Sequence, residues 1–285
     1  MFQYFIQIKN FSDVVILKIF VCIKQVPGVA EVKIDPKTNT LVREGIPSIV
    51  NPHDKHAIEL AISLREKYGG EVIALSMGPP QAEKALREAL AMGVDIAYLL
   101  TDRAFAGADT LATSHTLALG IKKLLKDSQE RDKYLVICGT QAIDGDTAQV
   151  GPELAEELGI PQITYVLKFE LQEKNMIRVE RAFRSEEVVV IETKLPALIS
   201  VLKEINKPRN PSMKGTVEAY SKKQVIPLTA EDLGVDHKEI GLNGSQTEVW
   251  RIFVPQRKGQ HLMLEGTIEE MSKTLCSNLK EDKVI

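Results

Sequence analysis

The chain has 285 residues, 44% of them hydrophobic and 26% charged, with a formal net charge of −3. This is an ordinary globular composition, long enough for one large α/β domain with appendages or for two small domains. It has no basic stripe for nucleic acid and no apolar run of the ~18 residues a membrane span needs.

Cys22, Cys138 and Cys276 stand far apart with no CxxC pair. That argues against a disulfide framework or a structural zinc and fits a reducing cytoplasm. Residues 1–16 are apolar in patches but lack a basic start and a small-residue cleavage site, so they make a poor signal peptide. They are expected to precede the domain proper, through a start site assigned too early.

Residues 17–26 form a short β-branched run ending at Pro27-Gly28, and predict a buried strand. Two short segments around Asn39 predict a small hairpin. Asn51-Pro52 then opens a helix, with Asn as N-cap and Pro in the first turn. Its apolar face is Ala57, Leu60, Ala61 and Leu64, and it stops at Gly69-Gly70. The pattern repeats three times: strand EVIALSMG and a helix ending at Gly93, strand IAYLLTD and the helix from Ala108, strand YLVICGT and a helix expected to start near Asp146-Thr147. Such alternation predicts a doubly wound, mostly parallel, Rossmann-like α/β sheet. Beyond Pro161 four successive strands are expected to extend or flank it in antiparallel fashion. From Asn206 onward the chain is irregular and suggests an arm that packs on a partner. The expected plan is an extension over 1–16, an α/β domain over 17–205, and a loop with a C-terminal arm over 206–285.

Ligands of such sheets bind in loops at the carboxyl ends of the strands. The most informative loop is CGTQAIDGDTAQVGPELAEELGIPQ, residues 138–162. Backbone N–H groups at a helix start favour phosphate, and Gly139 and Gly145 permit close approach. Asp144 and Asp146 would repel phosphate, so they are expected to cap the helix or to bind ribose hydroxyls. Phosphate is left to the N–H groups, Thr147 and Gln149. The plain alternative is a capped helix after a tight turn. Val26-Pro27-Gly28 and the loop beginning Ser76-Met77 end other strands and are also ordinary turns. The helix start at Ala108-Asp109 is either capped by Asp109 or a wall of the site. His53 and His56 have i, i+3 spacing but no further ligand cluster, so a solvated helix start is favoured over a metal.

There is no GxGxxG after the first strand, no GxxxxGK[ST] loop and no GxSxG elbow. HxGH and SGGxDS signatures of adenylating enzymes are missing too. A nicotinamide dehydrogenase is thereby disfavoured, and the residues describe a nucleotide binder without an evident acid, base or nucleophile. An ATP-binding universal-stress-type protein shares the alternation but would lack the later blocks.

Those blocks carry a resemblance. VCIKQVPG (21–28), IVNPHDKHAIELA (49–61), GTQAIDGDTAQVGPELAEELGIPQ (139–162), KLPALISVLKEINKPRNPSMKG (194–215) and EDLGVD (231–236) together resemble the electron transfer flavoprotein β-subunit family, from about residue 17 to about 260. The resemblance implies an adenine nucleotide alpha hydrolase-like fold and a heterodimer with an α subunit carrying FAD. It also implies a second nucleotide in this chain, FAD in one branch and AMP in the other. Matching pocket positions are Cys22, Asn51, Pro52, His53, Asp54, Ser76 and Met77, then Gly139, Thr140, Gln141, Ala142, Asp144, Gly145, Asp146, Thr147, Ala148, Gln149 and Val150. The 144–162 block is more similar to the electron-bifurcating branch, in which NADH is a transient substrate. There one electron goes to the α-subunit FAD and the other to a low-potential acceptor such as ferredoxin or flavodoxin. The AMP branch would shuttle electrons with acyl-CoA dehydrogenases or a membrane quinone oxidoreductase. Residues 206–215 resemble the family's recognition loop for such dehydrogenases, with Pro208 and Arg209 in it and Met213 as a flexible apolar anchor. The plain alternative there is a linker with a partly buried Met. The residues beyond 220 resemble the family's tail that clasps the α subunit.

Overall fold

The computed structural model describes residues 18–28, 48–126, 133–184, 187–250 and 262–284. The expected hairpin around Asn39 and the extension over 1–16 lie outside the described residues. In chain order the elements are β1 (Lys18–Cys22), β2 (Gln25–Pro27), β3 (Ser48–Val50), α1 (Pro52–Tyr68), β4 (Glu71–Met77), α2 (Glu83–Met92), β5 (Ile96–Leu100) and α3 (Thr110–Lys126). Then come β6 (Tyr134–Gly139), α4 (Val150–Leu158), β7 (Gln162–Leu171), β8 (Met176–Arg184), β9 (Glu187–Lys194) and β10 (Ala197–Val201). They are followed by α5 (Met213–Ser221), β11 (Val225–Leu228) and the short turns α6 (Ala230–Leu233) and α7 (Gly241–Gly244). All of these lie in one compact unit. A second unit carries α8 (Ile268–Glu281), closed at its start by a reciprocal capping box of Thr267 and Glu270.

Nine strands form one sheet in the order β11-β5-β4-β1-β6-β10-β7-β8-β9, and β2 pairs with β3 separately. β1 is buried along nearly its whole length, as a central strand covered on both faces must be. Its alternate residues feed two layers. Ile19 and Val21 pack with Ile58 of α1 and Leu86 of α2, while Phe20 and Cys22 pack with Ile121 of α3 and Leu154 of α4. The chain runs outward from β1 through β4 to β5, then returns to β6 on the other side of β1. This reversal puts a crevice at the carboxyl ends of β1 and β6, where doubly wound sheets take ligands.

Three expectations need correction. The last four strands are not all antiparallel. β10 lies parallel between β6 and β7, and only the β7–β8 and β8–β9 pairs are antiparallel. The β8–β9 pair extends the sheet beyond β7, after which the chain returns to the middle of the sheet as β10. The helix expected near Asp146 starts at Val150 instead. Residues 213–233, expected to be irregular, carry regular structure joined to the core: β11 extends the sheet beside β5, Ala219 joins one layer and Ala230 the other.

Candidate functional site

The amino end of α1 is pressed against the carboxyl end of β6. A Cβ on Gly139 would lie 2.7 Å from the His53 carbonyl carbon and 2.8 Å from the Asp54 nitrogen, and would strike Asp54 Oδ1. Only glycine fits this approach. Beside it, Cys22 of β1 and Cys138 of β6 are register partners, both buried. The Cys22 sulfur and burial hold the Cys138 thiol well above its ordinary value, so it stays neutral and unreactive.

Asn51 occupies the N-cap position of α1 but makes no capping bond with its side chain. Its side chain reaches across the fold instead. Nδ2 donates to Asp54 Oδ1 at 2.9 Å and to the Gln141 carbonyl at 2.8 Å, and Oδ1 accepts from the Ile143 N–H at 3.2 Å. Asp54 is buried and also accepts from the Lys24 N–H at 2.7 Å and from the backbone of Gly139. One residue pair thus fastens the ends of β1 and β6, the start of α1 and the loop after β6.

That loop runs as an open shelf before α4. Asp146 and Ala148 both take φ of 54°, a left-handed geometry that non-glycine residues adopt at a cost. The aspartates do not cap α4. Asp144 pairs with Lys24 Nζ at 2.8 Å, and Asp146 accepts from Gln141 Nε2. Both carboxylates therefore have a partner, which weakens the repulsion a phosphate would meet. The backbone N–H groups of Asp144, Gly145, Thr147, Ala148 and Gln149 make no hydrogen bond within the described residues, and residues 143–147 are exposed. A Cβ on Gly145 would meet nothing within 4 Å, so the fold alone does not demand glycine there.

The other expected positions divide. Thr140 is buried and donates to the Val201 carbonyl at 2.6 Å, which fixes the strand end to β10. Ser76, at the end of β4, is 1% exposed and its Oγ has no partner among the described residues, and Nδ1 of His53 is buried without one. Burial, then His56, lowers the His53 pKa, so that ring is neutral at physiological pH. Met77 and Val150 are half-buried against the α3–α4 layer, and Pro52 is exposed. Asp109 caps α3 through the Ala112 N–H at 3.0 Å, and its other oxygen holds the backbone of Gln246 and Thr247. Free donors, paired acids, a bare glycine and orphaned polar atoms at the carboxyl end of the sheet fit the phosphates and polar groups of a nucleotide.

The 206–215 segment lies along α1. Arg209 Nε and Nη2 grip the two oxygens of Glu59 at 2.8 and 2.9 Å, and its nitrogens reach Glu66 at 2.6 and 3.0 Å. Burial pushes the Glu59 carboxyl up, but the bonds from Arg209 outweigh it and the group ends below its ordinary value. Arg209 is thus an internal clamp, with Pro208 half-buried beside it. Met213 opens α5 and is 86% exposed, with Val217 and Tyr220 also exposed one and two turns on.

Sequence patterns alone passed over Lys24 and Ile143, which tie the loop down. Lys24 directly follows the apolar run of β1, and that lone cation at a strand end was the available signal. Among the described residues no group of three His, Cys, Asp or Glu could hold a metal, and no helix is long and apolar enough to cross a membrane.

A family model described as the electron transfer flavoprotein domain matches residues 38–226. The chain is 54% identical to the electron transfer flavoprotein subunit beta of Thermoanaerobacterium thermosaccharolyticum, over 94% of this chain and 100% of that one. It is 49% identical, over 94% of this chain and 100% of the relative, to CarD, a subunit of the caffeyl-CoA reductase–Etf complex of Acetobacterium woodii. It is 44% identical to the protein FixA of Bradyrhizobium diazoefficiens, over 90% and 88% of the two chains.

Proposed function

The chain belongs to the electron transfer flavoprotein β-subunit family, and from that premise we propose that it binds FAD on the 139–150 loop and works in electron bifurcation with an α subunit. In this reading the heterodimer passes electrons from NADH to the α-subunit FAD and to a low-potential acceptor such as ferredoxin or flavodoxin. The observation that carries the reading is the length of the shelf. Its run of free backbone N–H groups continues to Gln149 before α4 begins, which suits a diphosphate better than the single phosphate of AMP.

A bound FAD supplies hydride acceptance and one-electron transfer. The residues of this chain bind and orient it. The N–H groups of Gly145, Thr147, Ala148 and Gln149 would face the phosphates. Gly145 leaves room for close approach, and Ser76 and His53 offer unpaired polar atoms at the crevice. Lys24 and Gln141 keep the two aspartates occupied.

Two surfaces support assembly. On β9, Val188, Val189 and Val190 are all exposed. Successive strand residues face opposite sides, so this edge strand is apolar on both faces, as an edge that meets the α subunit would be. Met213 on α5 supports docking of an acyl-CoA-dehydrogenase-type partner. The relative CarD belongs to a complex named for its CoA-thioester reductase, which supports the same partner class here.

The test is anaerobic. NADH, the purified heterodimer and ferredoxin are mixed with and without a high-potential acceptor. Ferredoxin reduction that requires the high-potential acceptor is expected. Reduction of the high-potential acceptor alone, with ferredoxin unchanged, overturns bifurcation.

A further inference from the structure

We propose that Asp54 is a positioning residue for the 139–150 loop: as a carboxylate it orients Asn51, Asn51 holds the loop, and protonation of Asp54 loosens that hold. The proposal rests on reading this loop as the nucleotide site.

Asp54 cannot touch a ligand itself, because its side chain is enclosed between the ends of β1 and β6 and the start of α1. Among the described residues its hydrogen-bond partners are all donors: the Lys24 N–H at 2.7 Å, Asn51 Nδ2 at 2.9 Å and the Gly139 backbone. An ionised carboxylate only accepts, so it suits this cage. A protonated one brings a hydrogen that finds no acceptor there. Lys24 and Gly139 present backbone donors fixed by the strand ends. The Asn51 side chain is the donor that can turn away. When it turns, the Gln141 carbonyl at 2.8 Å and the Ile143 N–H at 3.2 Å lose their shared partner. Those contacts fix the beginning of the shelf.

The surroundings place the titration in a useful range. Burial pushes Asp54 up to about 7, against the hydrogen bonds from Asn51, Lys24 and Gly139 and the Lys24 charge, which pull it down. The titratable groups around it on the packed elements include Cys22 on β1, Cys138 on β6, whose thiol stays neutral, and His53, Lys55, His56 and Glu59 on α1 itself. Asp144 and Asp146 on the loop pair with Lys24 and Gln141. The loop's hold is therefore full above neutrality and lost as pH falls through about 7.

The experiment is hydrogen–deuterium exchange on the purified heterodimer, about one pH unit either side of neutrality and corrected for the intrinsic rate. It follows the bonded amides of Ile143 and Asp146 within the peptide over residues 139–150, together with adenine nucleotide lost on gel filtration. Protection of the wild-type loop is expected to fall roughly tenfold at the lower pH, the size of one charge-assisted hydrogen bond, with faster nucleotide loss. Asp54→Asn puts an amide hydrogen where no acceptor waits, so its loop is expected to be weakly protected at both pH values. Asn51→Ala leaves Asp54 and its backbone donors in place and removes the Asn51 donor together with its two ties to the loop, so it is expected to lose the pH dependence even if Asp54→Asn fails to fold. Equal wild-type protection at both pH values, or a folded variant that keeps the wild-type profile, overturns the proposal. If the profile follows Asp54 but this chain releases no nucleotide, the positioning role holds and the nucleotide reading falls.

Discussion

Arg209→Ala removes the fork that joins the 206–215 segment to α1. Glu59 is the partner that matters, because its side chain is only 11% exposed. Breaking a buried pair costs ~3–5 kcal/mol, and the 34% exposure of Arg209 brings the expectation to about 2–3 kcal/mol. Glu66 is half exposed and adds ~0–1 kcal/mol at most. At roughly 2–4 °C per kcal/mol for a chain of this size, the melting temperature should fall by about 5–10 °C. The pH dependence should also reverse. In the wild type Glu59 lies below its ordinary value of 4.5, so its stabilisation is present above that value and lost as pH falls through the folded one. Without the guanidinium, burial dominates and lifts Glu59 above 4.5, so stability is lost as pH rises toward neutrality. Thermal unfolding of the purified heterodimer below and above pH 4.5 measures both effects. Arg209→Lys keeps the charge but not the fork and should recover less than half of the loss. A melting temperature within about 1 °C of wild type at both pH values would refute the clamp.

Met213→Ala should change stability by no more than ~0.5 kcal/mol, since the side chain is almost wholly exposed, yet slow electron transfer to a dehydrogenase partner in stopped-flow mixing with flavin content unchanged. Equal transfer rates would count against the anchor. Gly139→Ala should destabilise the fold by more than ~2 kcal/mol, because the new methyl meets the α1 backbone. Gly145→Ala should leave the melting temperature alone and weaken nucleotide retention, a contrast that calorimetry and released-nucleotide counts can read together. Val189→Asp on β9 should reduce co-purification of the α subunit while this chain stays folded, and undiminished pairing would remove β9 from the interface.

The buried run of β1 and the Asn-Pro and Gly-Gly punctuation of α1 act locally, so the alternating architecture was legible residue by residue. β10 was not legible as a central strand, because no helix separates it from β9 and its place depends on pairing with the distant β6. The same reason displaced the start of α4. Asp-Gly-Asp-Thr has the chemistry of a helix cap, but Lys24 and Asn51, far away in sequence, hold the loop in a turn of its own ahead of the helix. Asn51 shows the point most plainly: it stands where a cap should, and its side chain serves the loop instead. The importance of the 139–150 loop was visible from its glycines and its place after a strand. The roles of Thr140, Asp54 and Arg209 were not, because each is set by a partner from another part of the chain.

This chain is proposed to hold FAD on the 139–150 loop. Denaturing the purified heterodimer and counting the released nucleotides tests it directly: two FAD and no AMP per heterodimer is the result predicted here, and one FAD with one AMP would contradict it.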